Sequence, residues 1–250
     1  PPPPPPGPPP PGPPLPPPPS PSPPSPPPVP SPPPAYSNSR WTLHFDGIDD
    51  YLLLPEITNI RGVSLWVYMD YSVTNIVRYL LDTRVGDADG VVSNWEVGTL
   101  WDHIYVDGQA SAKTWEDLPL NRWGHVHFVS TRAFGDNINI MSRVNDGSAT
   151  YLSGNLKGAL AEVYFWDRTL VDWEVAVIAN GFDQTLRAGL MAFYPLEEGQ
   201  GVRLFDMHGQ YGYGVLISDG DPYPQWVEGD APAQAGWKAI SLVPSPPPPP

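Results

Sequence analysis

Residues 1–34 are proline apart from Gly7, Gly12, Leu15, Ser20, Ser22, Ser25, Val29 and Ser31. The pyrrolidine ring fixes φ near −65° and removes the amide donor, so such a run enters neither a helix interior nor a sheet and adopts polyproline II. At about 3.1 Å per residue a straight rod of this length reaches roughly 100 Å. It has no internal hydrogen bonds and no apolar face on which to collapse. Residues 244–250 repeat the chemistry, with Ser245 as the interruption. The globular part is therefore confined to residues 35–243, about the size of one β domain, with room for a core that needs no staples.

Every charged side chain lies between Arg40 and Lys238, so the net charge of −14 belongs to that central domain. An acidic domain argues against nucleic acid and against anionic membrane surfaces, both of which recruit basic patches. It is compatible with divalent cations or simply with solubility. The chain has no cysteine, which a domain of this size tolerates in an oxidising compartment, and no run long and apolar enough to span a membrane. Pro1 is not a translation start, so the expectation is a processed product or a piece of a longer chain with its targeting signal upstream.

Ser-Pro steps at Ser20, Ser22, Ser25, Ser31 and Ser245 punctuate the proline runs. Taken alone they fit a linker or a ligand for proline-recognising domains. Their alternation resembles the hydroxyproline-rich glycoproteins of plants and green algae. That resemblance implies hydroxylated prolines bearing O-linked arabinose or galactose, with Ser20, Pro21, Ser22, Pro23, Pro24, Ser25, Pro26, Ser31, Pro32, Ser245 and Pro246 as the candidate positions, and an extracellular location. No Asn-x-Ser/Thr sequon occurs in the chain, so glycans are expected on the proline segments.

From Arg40 onward short apolar-alternating runs are separated by Gly, Asn and Asp turns, which predicts an all-β domain. The runs are 41–45, 51–54 up to Pro55, 63–68, 76–81, 100–106, 123–130, 138–144 and 160–166. Val63, Leu65 and Val67 share one face, and Ser64, Trp66 and Tyr68 the other. Asp107-Gly108 and Asp146-Gly147 fall where hairpins need positive φ. One helix is expected over 172–179, with Trp173, Val177 and Ala176 on one side, acidic residues Asp172 and Glu174 at its start, and a stop at Asn180-Gly181.

Phe45-Asp46-Gly47-Ile48-Asp49-Asp50-Tyr51 resembles the opening of laminin G-like, concanavalin A-like jelly rolls. Val63-Ser64-Leu65-Trp66-Val67 is similar to the family's next strand, and Arg122-Trp123-Gly124-His125-Val126 to a later one. Gly158-Ala159-Leu160-Ala161-Glu162-Val163-Tyr164-Phe165-Trp166, followed by Asp167-Arg168 and Leu170, resembles the signature that precedes a short helix; Val171 stands where the family often has a serine cap. The segment 190–199, with Asp206 and Gly209, resembles a strand expected here to pair back beside the N-terminal strands, together with 225–227. The resemblance spans nearly all of 40–230. It implies a concanavalin A-like jelly-roll sandwich with one short helix, flanked by polyproline II segments, and core positions for Trp66, Trp123 and Trp166.

The jelly-roll group includes glycoside hydrolases, which need two carboxylates at fixed separation. The one-strand Glu-x-Asp-x-x-Glu run of the relevant branch is missing, and Glu162 stands alone on its strand, so the expectation is a protein that is not an enzyme. His125 and His127 lie two apart on a strand without a third ligand nearby in sequence, and are expected as strand residues, one partly exposed. Hard-oxygen clusters suit calcium better: Asp46, Asp49 and Asp50; Asp82, Asp87 and Asp89; Asp219 and Asp221. Asp49, Asp50, Asp87 and Asp89 are the candidate ligands, against the alternative that these are solvated turn residues. Among the less accounted-for tryptophans, Trp95, Trp101 and Trp115 are the candidate glycan-stacking residues, with core packing as the alternative.

The expected function is a structural extracellular glycoprotein of a filament, cell wall or flagellar surface. Its β domain would contact glycans or neighbouring proline rods and self-associate. The alternative is a lectin-like adhesin on a proline-rich stalk.

Overall fold

The computed structural model describes residues 1–3, 7, 41–70, 77–83, 90–94, 97–143, 154–181, 184–218 and 223–229. The chain divides into two compact units, Pro1–Pro33 and Pro34–Pro250. In the first, Pro1, Pro2, Pro3 and Gly7 are exposed and outside helix or strand. The O-glycosylation positions from Ser20 to Pro32, and Ser245 with Pro246, lie outside the described residues.

Among the described residues the second unit is all-β with one short α-helix. Its strands are β1 Trp41–Phe45, β2 Tyr51–Met69, β3 Tyr79–Asp82, β4 Val91–Ser93, β5 His103–Val106, β6 Gln109–Ala110, β7 Trp123–Ile140, β8 Gly158–Trp166, β9 Leu190–Tyr194, β10 Arg203–Leu204, β11 Gly214–Ile217 and β12 Gln225–Glu228. The helix α1 is Asp172–Ile178, and single 3-10 turns occupy Trp115–Asp117 and Gln184–Arg187. The ladders between these strands are antiparallel.

Two long strands organise the sheet. The second half of β2 lies between β7 and β8, while its first half lies between β7 and β11. Expected breaks at Pro55 and after Ser130 are bends instead: β2 runs for 19 residues and β7 for 18. Register shifts separate Leu54 from Ile57, Ile57 from Ile60 and Ile60 from Gly62, and Pro55 sits in the first of them. A proline cannot donate to a ladder, so it is tolerated where the ladder is already irregular. The C-terminal segments divide their partners: β9 pairs with β8, β11 with β2 and β12 with β1. Thus β9 does not return to the N-terminal strands, whereas β12 does.

Alternation then assigns the faces. Val63, Leu65 and Val67 are fully buried in a core that also takes Leu43, Leu52, Leu54, Val126, Phe128, Ile138, Leu160, Val163 and Phe165, so both halves of the bent sheet feed one apolar interior. The opposite face is covered as well. Tyr164, Trp166 and Phe193 pack there with Val175 and Ile178 of α1. Hence α1 buries Val175 and Ile178, and Trp173 is 62 % exposed, the reverse of the expected face. Val171 gives no side-chain cap; the Glu174 carboxylate accepts the Val171 amide at 3.0 Å and both Arg168 terminal nitrogens at 2.8 and 2.7 Å. Arg168 also donates through Nε to the Ala188 carbonyl at 2.7 Å. The signature arginine therefore holds the helix start in place of the missing cap.

The Asp107-Gly108 turn joins β5 to β6 with φ of 50° and 78°. A Cβ on Gly108 would lie 2.8 Å from the Ala176 Cα, so this glycine serves both the turn and the approach of α1. Asp146-Gly147 lies outside the described residues.

Candidate functional site

The loop from β1 to β2 gathers three carboxylates. Phe45 is anchored in the core, Gly47 turns the chain at φ 79°, and a Cβ there would meet Lys157 at 2.7 Å. Asp46 Oδ1 accepts the Ile48 amide at 2.7 Å, and Asp50 Oδ2 accepts the Asp46 amide at 3.3 Å. Neighbouring elements fix the loop backbone. Arg78 Nη1 donates to the Gly47 and Asn155 carbonyls at 2.9 and 2.5 Å. Asn155 Nδ2 donates to the Ile48 carbonyl at 3.0 Å, and its Oδ1 accepts Ser142 at 2.6 Å.

On this frame Asp46, Asp49 and Asp50 each bring an oxygen within 4.8 Å of the others. Ser218, just past β11, donates to Asp49 Oδ1 at 3.3 Å. Asp50 is 2 % exposed, and its Oδ1 has no hydrogen-bond partner among the described residues. Burial, reinforced by the charges of Asp46 and Asp49, pushes its carboxyl up to about 6; the Asp46 amide and Ser218 pull the other way. A buried carboxylate with a free oxygen, facing two like charges, fits a hard divalent cation bound by oxygen ligands. In sequence Asp46 groups with Asp49 and Asp50, but only the latter two of this cluster are candidate ligands there, and Ser218 is not among the candidates. Asp46 stands in the same pentapeptide, but nothing in sequence ties Ser218 to it. Asp87 and Asp89 lie outside the described residues.

A second polar cluster occupies the covered face of the sheet. Tyr105, His127, Ser64, Tyr164 and Phe193 are register partners across β5, β7, β2, β8 and β9. The Ser64 hydroxyl lies 2.7 Å from His127 Nδ1, and Trp166 Nε1 donates to Ser64 Oγ at 3.3 Å. An indole only donates, so Ser64 accepts from Trp166, and the hydroxyl retains one proton and a second lone pair with which to pair to His127 Nδ1. His125 and His127 are both fully buried, correcting the expectation that one would be partly exposed. Burial lowers His125 to about 4 against the raising charge of Asp107; burial and then His125 lower His127 to about 3. Both imidazoles are neutral packing groups. Glu162 is a buried bulge residue at φ 54°, accepting the Tyr164 hydroxyl at 2.8 Å.

The aromatic candidates for sugar stacking separate from this picture. Trp101 is 0 % exposed, with Phe128 and Phe134 rings 5.4 and 5.5 Å away. Trp115 is buried in the same core. Neither ring has a face open to a pyranose, because the long β4–β5 and β6–β7 connections fold these apolar rings inward. Trp95 lies outside the described residues. Asp206, part of the expected C-terminal motif, is a loop organiser: its oxygens accept the amides of Phe193, His208, Gln210 and Tyr211 at 2.9 to 3.0 Å.

No protein-family model matches the chain, and no curated protein matches it. No helix among the described residues is long and apolar enough to cross a membrane.

Proposed function

We propose that this chain is a structural extracellular glycoprotein unit, without catalytic activity, that self-associates into a filament or surface matrix. In this reading the β domain is a concanavalin A-like, laminin G-like jelly roll carried between O-glycosylated polyproline rods. The jelly-roll reading is supported by the two long bent antiparallel strands shared between both halves of the sheet and by the positions of the family-like motifs. Phe45-to-Tyr51 forms the β1–β2 loop, and the Glu162–Arg168 signature leads into α1. The observation that carries the functional reading is compositional. Uncharged proline-rich segments lie at both ends of the chain, and all the charge lies between them.

The lectin alternative loses support because two of its three stacking candidates, Trp101 and Trp115, are core residues. Calcium, held by Asp46, Asp49 and Asp50, would add fixed positive charge to the β1–β2 loop and rigidify it. Electron microscopy of native material with mass measurement of the proline segments tests the reading. Filaments, with proline segments heavier than their sequence by hydroxyl and pentose or hexose increments, are expected. Isolated monomers bearing unmodified proline overturn it.

A further inference from the structure

The segment between β9 and β11 forms a cleft of about 490 Å³, lined by Glu198, Gln200, Gly201, Val202, Arg203 and Phe205. That volume accommodates a small ligand or a few residues of extended chain. Phe205 is 40 % exposed and the neighbouring Tyr213 47 % exposed. The Arg203 guanidinium lies 4.5 Å from the Tyr213 ring centroid. This cation–π contact restrains the side chain, and a guanidinium over a ring keeps its N–H donors for other acceptors. The cleft wall is braced, since Trp226 Nε1 of β12 donates to the Gly201 carbonyl at 2.9 Å.

The polar character of the wall is one-sided. Glu198 Oε1 accepts the Phe205 amide at 2.9 Å, and Oε2 is buried without a partner among the described residues. The accessible side chains are thus two aromatic rings, a guanidinium and the Gln200 amide. A sugar presents many hydroxyl donors, and the exposed side chains here offer them only the Gln200 amide oxygen and the Tyr213 hydroxyl as acceptors. Polyproline presents the complement of this wall: pyrrolidine rings that stack on aromatic faces, carbonyl acceptors on every residue, and no N–H donor.

We propose that this cleft docks a polyproline II segment supplied by residues 1–34 of a second copy of the chain. Such a segment carries no charge, so a domain of net charge −14 does not repel it. At about 3.1 Å per residue it is long enough to reach a neighbouring domain. The proposal rests on the structural-unit reading above, since it makes the rod of one copy the partner of another copy's domain.

The test titrates a fluorescein-labelled, unmodified synthetic peptide of residues 1–34 against the full chain by anisotropy. Sedimentation measures self-association of the same protein samples. The double variant Arg203→Ala/Tyr213→Ala is expected to lower peptide affinity by at least about tenfold and to weaken self-association, with an unchanged melting temperature. Arg203→Lys, which keeps the charge but not the planar guanidinium, is expected to lie between. Unchanged peptide affinity in the double variant overturns the site, and if the chains still assemble the structural reading stands without it. Arg203-dependent peptide binding by a chain that never assembles supports the site and removes the structural reading. Binding of an arabinosylated peptide but not the bare one overturns the proposal in favour of glycan recognition.

Discussion

The β1–β2 loop and the layer beneath α1 both bury titratable side chains, and burial drives both toward the neutral form. They differ in what surrounds the buried group. Asp50 faces two further carboxylates and keeps an oxygen without a partner among the described residues, so its carboxyl moves to about 6. His125 and His127 are enclosed by Trp66, Tyr105 and Ser64 and fall to about 4 and about 3. Like charges around a free oxygen leave a place for a cation. Aromatic rings around an imidazole leave a place for nothing but the neutral ring. Burial alone is therefore a poor indicator of a site; the sign and number of the groups facing the buried atom decide.

The largest predicted effect separates the two regions by pH. Below the unfolded histidine value of 6.5, the unfolded chain binds two protons that the fold refuses until about pH 4 and about pH 3. Stability present above pH 6.5 is thus lost as pH falls, by about 1.4 kcal/mol per pH unit per histidine. Asp50 works in the opposite direction. Its folded value of about 6 lies above the reference 3.8, so the fold takes up a proton first, and this contribution disappears as pH rises through 6. Between pH 6 and 4 the net slope should be about one proton. Urea unfolding at several pH values measures it. His125→Phe, which removes an imidazole whose two nitrogens lack partners, should flatten the slope toward zero and cost little at pH 7, because an unsatisfied polar group is replaced by an apolar ring. A slope unchanged by His125→Phe breaks the assignment.

Asp50→Asn sharpens the same comparison at intermediate size. It removes the like-charge repulsion, and after allowance for solvent screening should stabilise the calcium-free protein at pH 7 by about 1 kcal/mol. It should also steepen the acid slope toward two protons. Calcium at about a hundred times its dissociation constant should add about 2.7 kcal/mol to the unaltered protein and much less to the variant. Thermal melts with calcium and with chelator read this directly. An equal calcium response in both proteins removes Asp50 from the site.

How much of this was legible depended on whether local chemistry or long-range packing decided it. β1, β8 and the Asp107-Gly108 hairpin follow from alternation and turn residues, because neighbours in sequence determine them. β2 and β7 read as broken at Pro55 and after Ser130 because turn-prone residues mark both strand ends and bulges, and only the partner strand tells them apart. The core places of Trp101 and Trp115 depend on Phe128, Phe134 and other distant residues that no local pattern reveals. In the acidic loop the cluster of Asp46, Asp49 and Asp50 was legible because its members are neighbours in sequence, and Ser218 arrives from the far end of the chain.

The helix face was misread for a related reason, and it carries the smallest prediction. Trp173 with Val177 and Val175 with Ile178 are two apolar stripes of similar strength. The second faces the sheet because Arg168 clamps Glu174 on that side. The clamp also lowers the Glu174 carboxyl, first through the Arg168 hydrogen bond, and it supplies the cap that Val171 cannot. Val171→Ser restores a hydroxyl to accept an orphan amide of the first turn and should raise stability by about 0.5–1 kcal/mol. Because α1 covers the layer beside His127 and lies on a different element from the acidic loop, the gain should appear equally with calcium and with chelator. A gain that depends on calcium would show that the two regions are coupled, and the contrast between a cation site and a packing layer would then have to be redrawn as one cooperative unit.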